Sequence, residues 1–170
     1  MTNPLFIVLV GLPGSGKSTY VKLFTENDPT TVVVSTDGII ENFAAHHGKT
    51  YDDVFEEAIK PATKLAQSKM DLGFKARSTI IVDQTNLGMK KRKKLLSQVP
   101  EGYTKVARYF EIDEGLRQQR LLGRPGKTIP AHIDANMRES YVRPAAHEGF
   151  DDVAYGEWWD ISKMYMGAAA

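Results

Sequence analysis

Leu5-Phe6-Ile7-Val8-Leu9-Val10-Gly11-Leu12-Pro13-Gly14-Ser15-Gly16-Lys17-Ser18-Thr19 decides the fold, because an apolar, partly β-branched run passes straight into a complete phosphate-binding loop. In the spacing G-x-x-x-x-G-K-[ST] the backbone N–H groups turn inward around a phosphate, and side chains at Gly11 or Gly16 would obstruct that turn. Gly14, Ser15 and Thr19 complete the cradle. Lys17 is placed to reach the β- and γ-phosphates of a nucleotide, and the Ser18 hydroxyl to ligate Mg²⁺. Residues from Ser18 to Leu23 suit a helix whose positive end faces the anion.

Around this loop the chain offers 170 residues, enough for one domain with its own core and too few for a comfortable second module, so 1–170 reads as a single domain. There is no cysteine, which removes disulfides, thiolate zinc sites and cysteine nucleophiles and suits a reducing, cytoplasmic setting. The apolar segment Leu5 to Val10 is too short for a membrane span, lacks a basic flank and runs into the loop, so a soluble protein with no membrane partner is expected. A formal net charge of +1 supplies no global field for nucleic acid, so such binding would need a local cluster, and Lys90-Lys91-Arg92-Lys93-Lys94 is one. No protein partner can be inferred.

Strand-length apolar segments alternate with segments of helical period, the pattern of an α/β sheet. Strands are expected at Leu5 to Val10, Thr31 to Ser35, Thr79 to Val82 and about Lys105 to Ile112. Val54, Ala58, Ile59, Ala62, Leu65 and Ala66 recur at helical spacing, with Pro61 expected to kink or divide that helix. Further helices are expected over Met89 to Gln98, over Asp113 to Leu122, and from Pro130 onward as a first-turn proline. Ile133, Met137 and Tyr141 read as a core stripe on the last of these.

Parallel α/β sheets hold ligands at the carboxyl ends of their strands, which gives weight to Asp37 behind Val32-Val33-Val34-Ser35-Thr36 and to Asp83 behind Ile80-Ile81-Val82. Asp37 suits a general base that takes the proton of an acceptor hydroxyl, and equally an N-cap for a helix opening at Gly38-Ile39. Asp83 stands where P-loop proteins carry the acid that orients Mg²⁺, and also where a turn residue would cap the next helix. Arg120 and Arg124 flank the Gly/Pro loop Gly123 to Lys127 and suit a closing lid over about 120–142 that neutralises a transferring phosphoryl group, or a pair of solvated arginines.

Taken in order, Gly11 to Thr19, Val34-Ser35-Thr36-Asp37, Ile80 to Leu87 with Arg92, Arg120 to Arg124, Lys127 to Pro130 and Met137 resemble the kinase domain of phage-type polynucleotide 5′-kinases, within the small P-loop kinases of adenylate-kinase-like topology. The segment Glu148 to Val153 resembles the final approach to the sheet in that wider group. The resemblance implies a three-layer α/β P-loop kinase fold with a mostly parallel sheet of four to five strands, helices on both faces and a small Arg-bearing lid. It implies Lys17 and Ser18 on phosphate and metal, Asp37 as base, Arg120 and Arg124 on the lid, and Thr85, Asn86 and Arg92 toward the substrate. The chain departs from the pattern at Gly38-Ile39-Ile40-Glu41, where 5′-end kinases can carry an acceptor-binding Arg, and at Gln84, where the polynucleotide-kinase form places an Asp directly before Thr-Asn.

The expected activity is therefore ATP- and Mg²⁺-dependent phosphorylation of a nucleic-acid hydroxyl, foremost a 5′-OH of DNA or RNA. Hydroxymethylated pyrimidines in phage DNA and small metabolites are the alternative acceptors. A nucleotide-hydrolysing switch is disfavoured, since no Asn-Lys-x-Asp element is present and the third strand ends Asp83-Gln84 rather than Asp-Glu. The basic run lies near a helix start, where positive charge opposes the macrodipole, and so reads as phosphate contact or as a solvated face. Tyr103, Tyr109, Trp158 and Trp159 read as core ahead of base stacking, and His46 and His47 as surface or acceptor-pocket residues.

Overall fold

The computed structural model describes residues 3–156. Its strands are β1 (Leu5–Gly11), β2 (Val32–Val34), β3 (Ile80–Val82), β4 (Thr104–Phe110) and β5 (Asp152–Tyr155), and they form one 5-stranded sheet in the order β2-β3-β1-β4-β5. Every pairing is parallel, with Phe6 opposite Ile80 on one side and Lys105 on the other. Parallel sheets must be covered on both faces, which is why Phe6 to Val10 and Ile80 to Val82 are continuously apolar and buried.

The helices are α1 (Lys17–Asn27), α2 (Thr36–His46), α3 (Tyr51–Lys75), α4 (Met89–Leu96), α5 (Glu114–Leu122) and α6 (Ala131–Glu139). Phe6, Val8 and Val10 project into one cluster with Met70, Ile80 and Tyr103, while Ile7 and Leu9 project into another with Tyr20, Phe24 and Ile81. The two clusters are the two faces of the sheet, set by the period of 2 along β1. A smaller cluster of Ile40, Ala44, Val54 and Ala58 joins α2 to α3.

Two expectations need correction. Pro61 does not divide its helix: α3 runs from Tyr51 to Lys75, with Pro61 on the exposed side and Ala58, Ala62, Ala66 and Met70 buried on the other, so packing on both sides of the proline outweighs the missing hydrogen bond. The stripe on α6 is core only in part. Tyr141, past the helix end, packs against the main cluster, but Ile133 is exposed and Met137 half-buried; the buried residue of α6 is Asp134, drawn inward by Arg117. Arg117, fully buried, forms paired hydrogen bonds of 2.7–2.8 Å with both Glu114 and Asp134 and so ties α5 to α6. Trp158 and Trp159 lie outside the described residues, and Tyr103 is buried core as expected.

Candidate active site

The loop between β1 and α1 has the backbone a phosphate cradle requires. Gly14 and Gly16 take φ of +84° and +107°, and a Cβ on Gly11 would stand 2.7 Å from Ser15 Oγ and 2.9 Å from the Phe110 carbonyl. Lys17 opens α1 and donates to the carbonyls of Gly11 and Leu12 at 2.8 and 2.9 Å, folding its ammonium over the loop. Ser15 Oγ is buried with no hydrogen-bond partner among the described residues, a donor left for a ligand. Ser18 and Thr19 are exposed on the first turn.

Three strand ends converge beside this loop. Gly11 N–H donates to the Thr85 carbonyl at 3.0 Å and Asp83 N–H to the Val34 carbonyl at 2.9 Å, which brings the ends of β1, β3 and β2 together. Burial pushes the Lys17 ammonium down to about 8, opposed by the charge of Asp83 and, more weakly, of Asp37, while Arg124 and Lys127 push the same way as burial. Lys17 thus senses Asp83, Asp37, Arg124 and Lys127 at once. Burial likewise raises the Asp83 carboxyl, against the pull of Lys17. Arg120 donates to the Gly14 carbonyl at 3.2 Å.

Asp37 is not the N-cap of α2. Ser35 holds that position and accepts from Gly38 N–H at 3.1 Å, which leaves the Asp37 carboxylate in the first turn for other partners. Tyr51 donates its hydroxyl to Asp37 Oδ1 at 3.0 Å, and Lys127 donates to Oδ2 at 2.9 Å and to Glu41 at 2.6 Å. Lys127 arrives on the 123–130 loop, which docks on the start of α3. Thr128 N–H donates to both oxygens of Asp52, Asp52 N–H donates to the Gly126 carbonyl at 3.0 Å, and Gly126 adopts φ +74° where a Cβ would meet Thr50 at 2.6 Å. A cavity of about 370 Å³ opens between this loop, α5 and α6, lined by Leu121, Arg124, Lys127 and Arg138 among others; neither the phosphate loop nor Asp37 lines it, so it adjoins the cluster without forming it.

Of the residues singled out by sequence, Lys17, Asp37, Asp83, Arg120 and Arg124 are brought together, and two others are not. Arg92, expected to face a substrate, is fully buried, with paired bonds of 2.7 Å to Glu148 and further bonds to the carbonyls of Asn86 and Leu87. Asn86 is also fully enclosed, its amide donating to the Leu9 carbonyl at 2.8 Å, and it holds the turn after β3 at φ +45°. Both are scaffold beneath the site. The remaining members of the basic run are all exposed, and because α4 ends at Leu96, Lys93 and Lys94 occupy its last turn, where positive charge is favourable. His47 is exposed against the Phe43 carbonyl. Tyr51, Glu41 and Asp52 carry no sequence signal, and Lys127 stands out only as part of a matching block.

The cradle, the lone lysine and the strand-end carboxylates are the arrangement of a P-loop enzyme, and residues 6–144 match the model of a family described as an AAA domain. The chain belongs to that family, AAA_33. The matched domain is of the P-loop phosphotransferase class, whose members use ATP and Mg²⁺. It is similar to the L-seryl-tRNA(Sec) kinase of Methanococcus maripaludis, with 29% identity over 153 residues that make up 86% of this chain and 56% of that protein. Its fold resembles a chain of the Pnkp1/Rnl/Hen1 RNA repair complex (TM-score 0.63, 22% identity, 82% of this chain and 44% of the other). It also resembles a sugar kinase from Janibacter sp. HTCC2649 (TM-score 0.60, 18% identity, 96% and 93%). The chain spans about half the length of the first two.

The residues present fit both groups this family uses. The glycine cradle and the partnerless Ser15 hydroxyl suit a polyphosphate. The Ser18 hydroxyl and the Asp83 carboxyl near the cradle are oxygen donors of the kind Mg²⁺ takes. Among the described residues, no helix is long and apolar enough to cross a membrane.

Proposed function

We propose that this domain, acting as one unit, transfers the γ-phosphoryl group of ATP to a hydroxyl carried by RNA, with the 5′-OH of a polynucleotide as the leading acceptor and Asp37 as the base. The reading is carried by one observation: a strand-end carboxylate, 57% exposed, stands within the electrostatic field of the P-loop lysine. In the reaction the acceptor oxygen bonds to the γ-phosphorus, its proton passes to Asp37, and the bond from that phosphorus to the bridging oxygen breaks, its electron pair leaving on ADP. Lys17 and the loop amides hold the phosphates, and Arg120 and Arg124 neutralise the charge that moves onto the equatorial oxygens. Ser18 and Asp83 would hold Mg²⁺, which would supply positive charge to the phosphates.

The acceptor class is supported by the sequence resemblance and by the seryl-tRNA kinase relative. That relative also favours a second reading, the side-chain hydroxyl of a serine esterified to tRNA, because Gly38-Ile39-Ile40-Glu41 supplies no arginine for a 5′-end phosphate. Transfer of γ-³²P to 5′-OH RNA, 5′-OH DNA, seryl-tRNA, hydroxymethylated DNA and small sugars separates them. Label in 5′-OH RNA carries the first reading and label in seryl-tRNA alone the second; label only in DNA or sugars, or in none, overturns both.

A further inference from the structure

An exposed carboxylate on the first turn of a helix rotates freely unless it is held, and a rotating carboxylate is a poor acceptor for one particular proton. Tyr51 is the side chain of the α2–α3 wall that fixes it. Its hydroxyl donates to Asp37 Oδ1 at 3.0 Å, and its own position is secured by the capping box next to it, in which Thr50 accepts from Asp53 N–H at 3.3 Å and Asp53 accepts from Thr50 N–H at 2.9 Å. The ring packs against Phe55 at 5.5 Å and borders the cluster joining α2 to α3. Burial, and after it the charge of Asp37, raise the Tyr51 hydroxyl above its ordinary range, so it remains a donor at working pH.

The same ring has a second occupant. Lys127 Nζ lies 4.3 Å from its centroid while bonded to Asp37 Oδ2 and Glu41. With Oδ1 on tyrosine and Oδ2 on lysine, each oxygen keeps a free lone pair, so the exposed carboxylate takes an acceptor hydroxyl in the direction these two partners leave open. Lys127 sits on the loop, so its bonds to Asp37 and Glu41 and its place on the ring tie the docking of that loop to the base.

We propose that Tyr51 is a positioning residue for phosphoryl transfer, holding the Asp37 carboxylate by its hydroxyl and the Lys127 ammonium on its ring. One side chain thereby couples the aim of the base to the docking of the loop. The inference rests on Asp37 being the base, and its tests separate from that reading.

The variants Tyr51→Phe, which keeps the ring, and Tyr51→Leu, which removes both features, are compared with and without Lys127→Met, using a 5′-OH oligoribonucleotide as acceptor. Tyr51→Phe is expected to lower kcat about tenfold with the KM for ATP and the melting temperature unchanged. Lys127→Met is expected to cost the same factor whether it is made in the wild type or on top of Tyr51→Phe. On top of Tyr51→Leu it is expected to cost less than about twofold, since the ring that couples the two residues is then gone. Loop docking is read without any acceptor by trypsin, because Arg124 precedes Pro125 and resists cleavage whereas Lys127 precedes Thr128. Cleavage after Lys127 is expected several-fold faster in Tyr51→Leu and at the wild-type rate in Tyr51→Phe. A wild-type kcat in Tyr51→Phe, the same Lys127→Met factor in all three backgrounds, or equal tryptic rates overturns the proposal. An Asp37→Asn variant with full activity sinks the base assignment and this inference with it. If no acceptor takes label, the RNA reading falls, and the tryptic comparison still decides the part played by the ring.

Discussion

The phosphate loop and the Asp37 wall lie side by side and are built in opposite ways. The loop is local in sequence: Lys17 bonds to Gly11 and Leu12 within its own turn, the glycines take the positive φ angles, and most of the surroundings are buried. The wall is assembled from distant pieces, with Asp37 on α2, Tyr51 and Asp52 on α3, and Lys127 and Thr128 on a loop some 90 positions away, joined by exposed or half-exposed side chains. A rigid cradle suits a nucleotide shared by the whole family, whereas a wall of separable side chains can be altered one residue at a time without disturbing the cradle. Acceptor choice is expected to reside in the wall.

The contrast breaks if the two halves cannot be separated by mutation. The largest effect is expected from Asp37→Ala, which should lower kcat about a thousandfold or more while the Kd for ATP stays within about twofold. A fall in ATP affinity matching the fall in rate would place Asp37 with the cradle. Next comes Arg124→Ala, which leaves the loop backbone intact and should cost about a hundred- to a thousandfold in kcat, read by single-turnover label transfer.

Lys17 offers a finer probe through pH. Its ammonium is depressed to about 8 in the nucleotide-free protein, so above that pH the free enzyme loses the charge that the phosphates require. ATP affinity should be level below about pH 8 and fall by up to about tenfold per unit above it, and binding near pH 8.5 should take up a proton, seen as a buffer-dependent heat in calorimetry. Lys17→Met should abolish that dependence. The smallest catalytic effect is expected from Arg92→Met. By stranding the buried Glu148 it should remove about 3–5 kcal/mol of stability in chemical denaturation, with kcat at low temperature nearly unchanged.

How much was legible in the sequence follows the same division. The phosphate loop, four of the strands and the carboxylates at the strand ends could be read because each depends on neighbours along the chain or on hydrophobic period. Tyr51, Glu41 and Asp52 could not, since each matters only through the docking of the 123–130 loop onto α2 and α3, a tertiary contact that no local pattern encodes. Arg92 misleads for a related reason. Within Lys90 to Lys94 it looks like one more surface cation, yet its partner Glu148 lies 56 positions away, and only the fold shows that this guanidinium turns inward.

Arg117 bears on how a substrate enters. Its guanidinium clasps Glu114 and Asp134 together, and its stem and backbone lie so near Gly14 that an added Cβ there would meet them at 3.3–3.4 Å. Both helices are thereby anchored to the nucleotide cradle, and what joins them over the site is only the short stretch 123–130, docked on α3. A jaw of that size cannot sweep across a bulky molecule. It can only close over a protruding tip, so a large acceptor would keep most of its mass outside and offer a single terminal group to the chemistry.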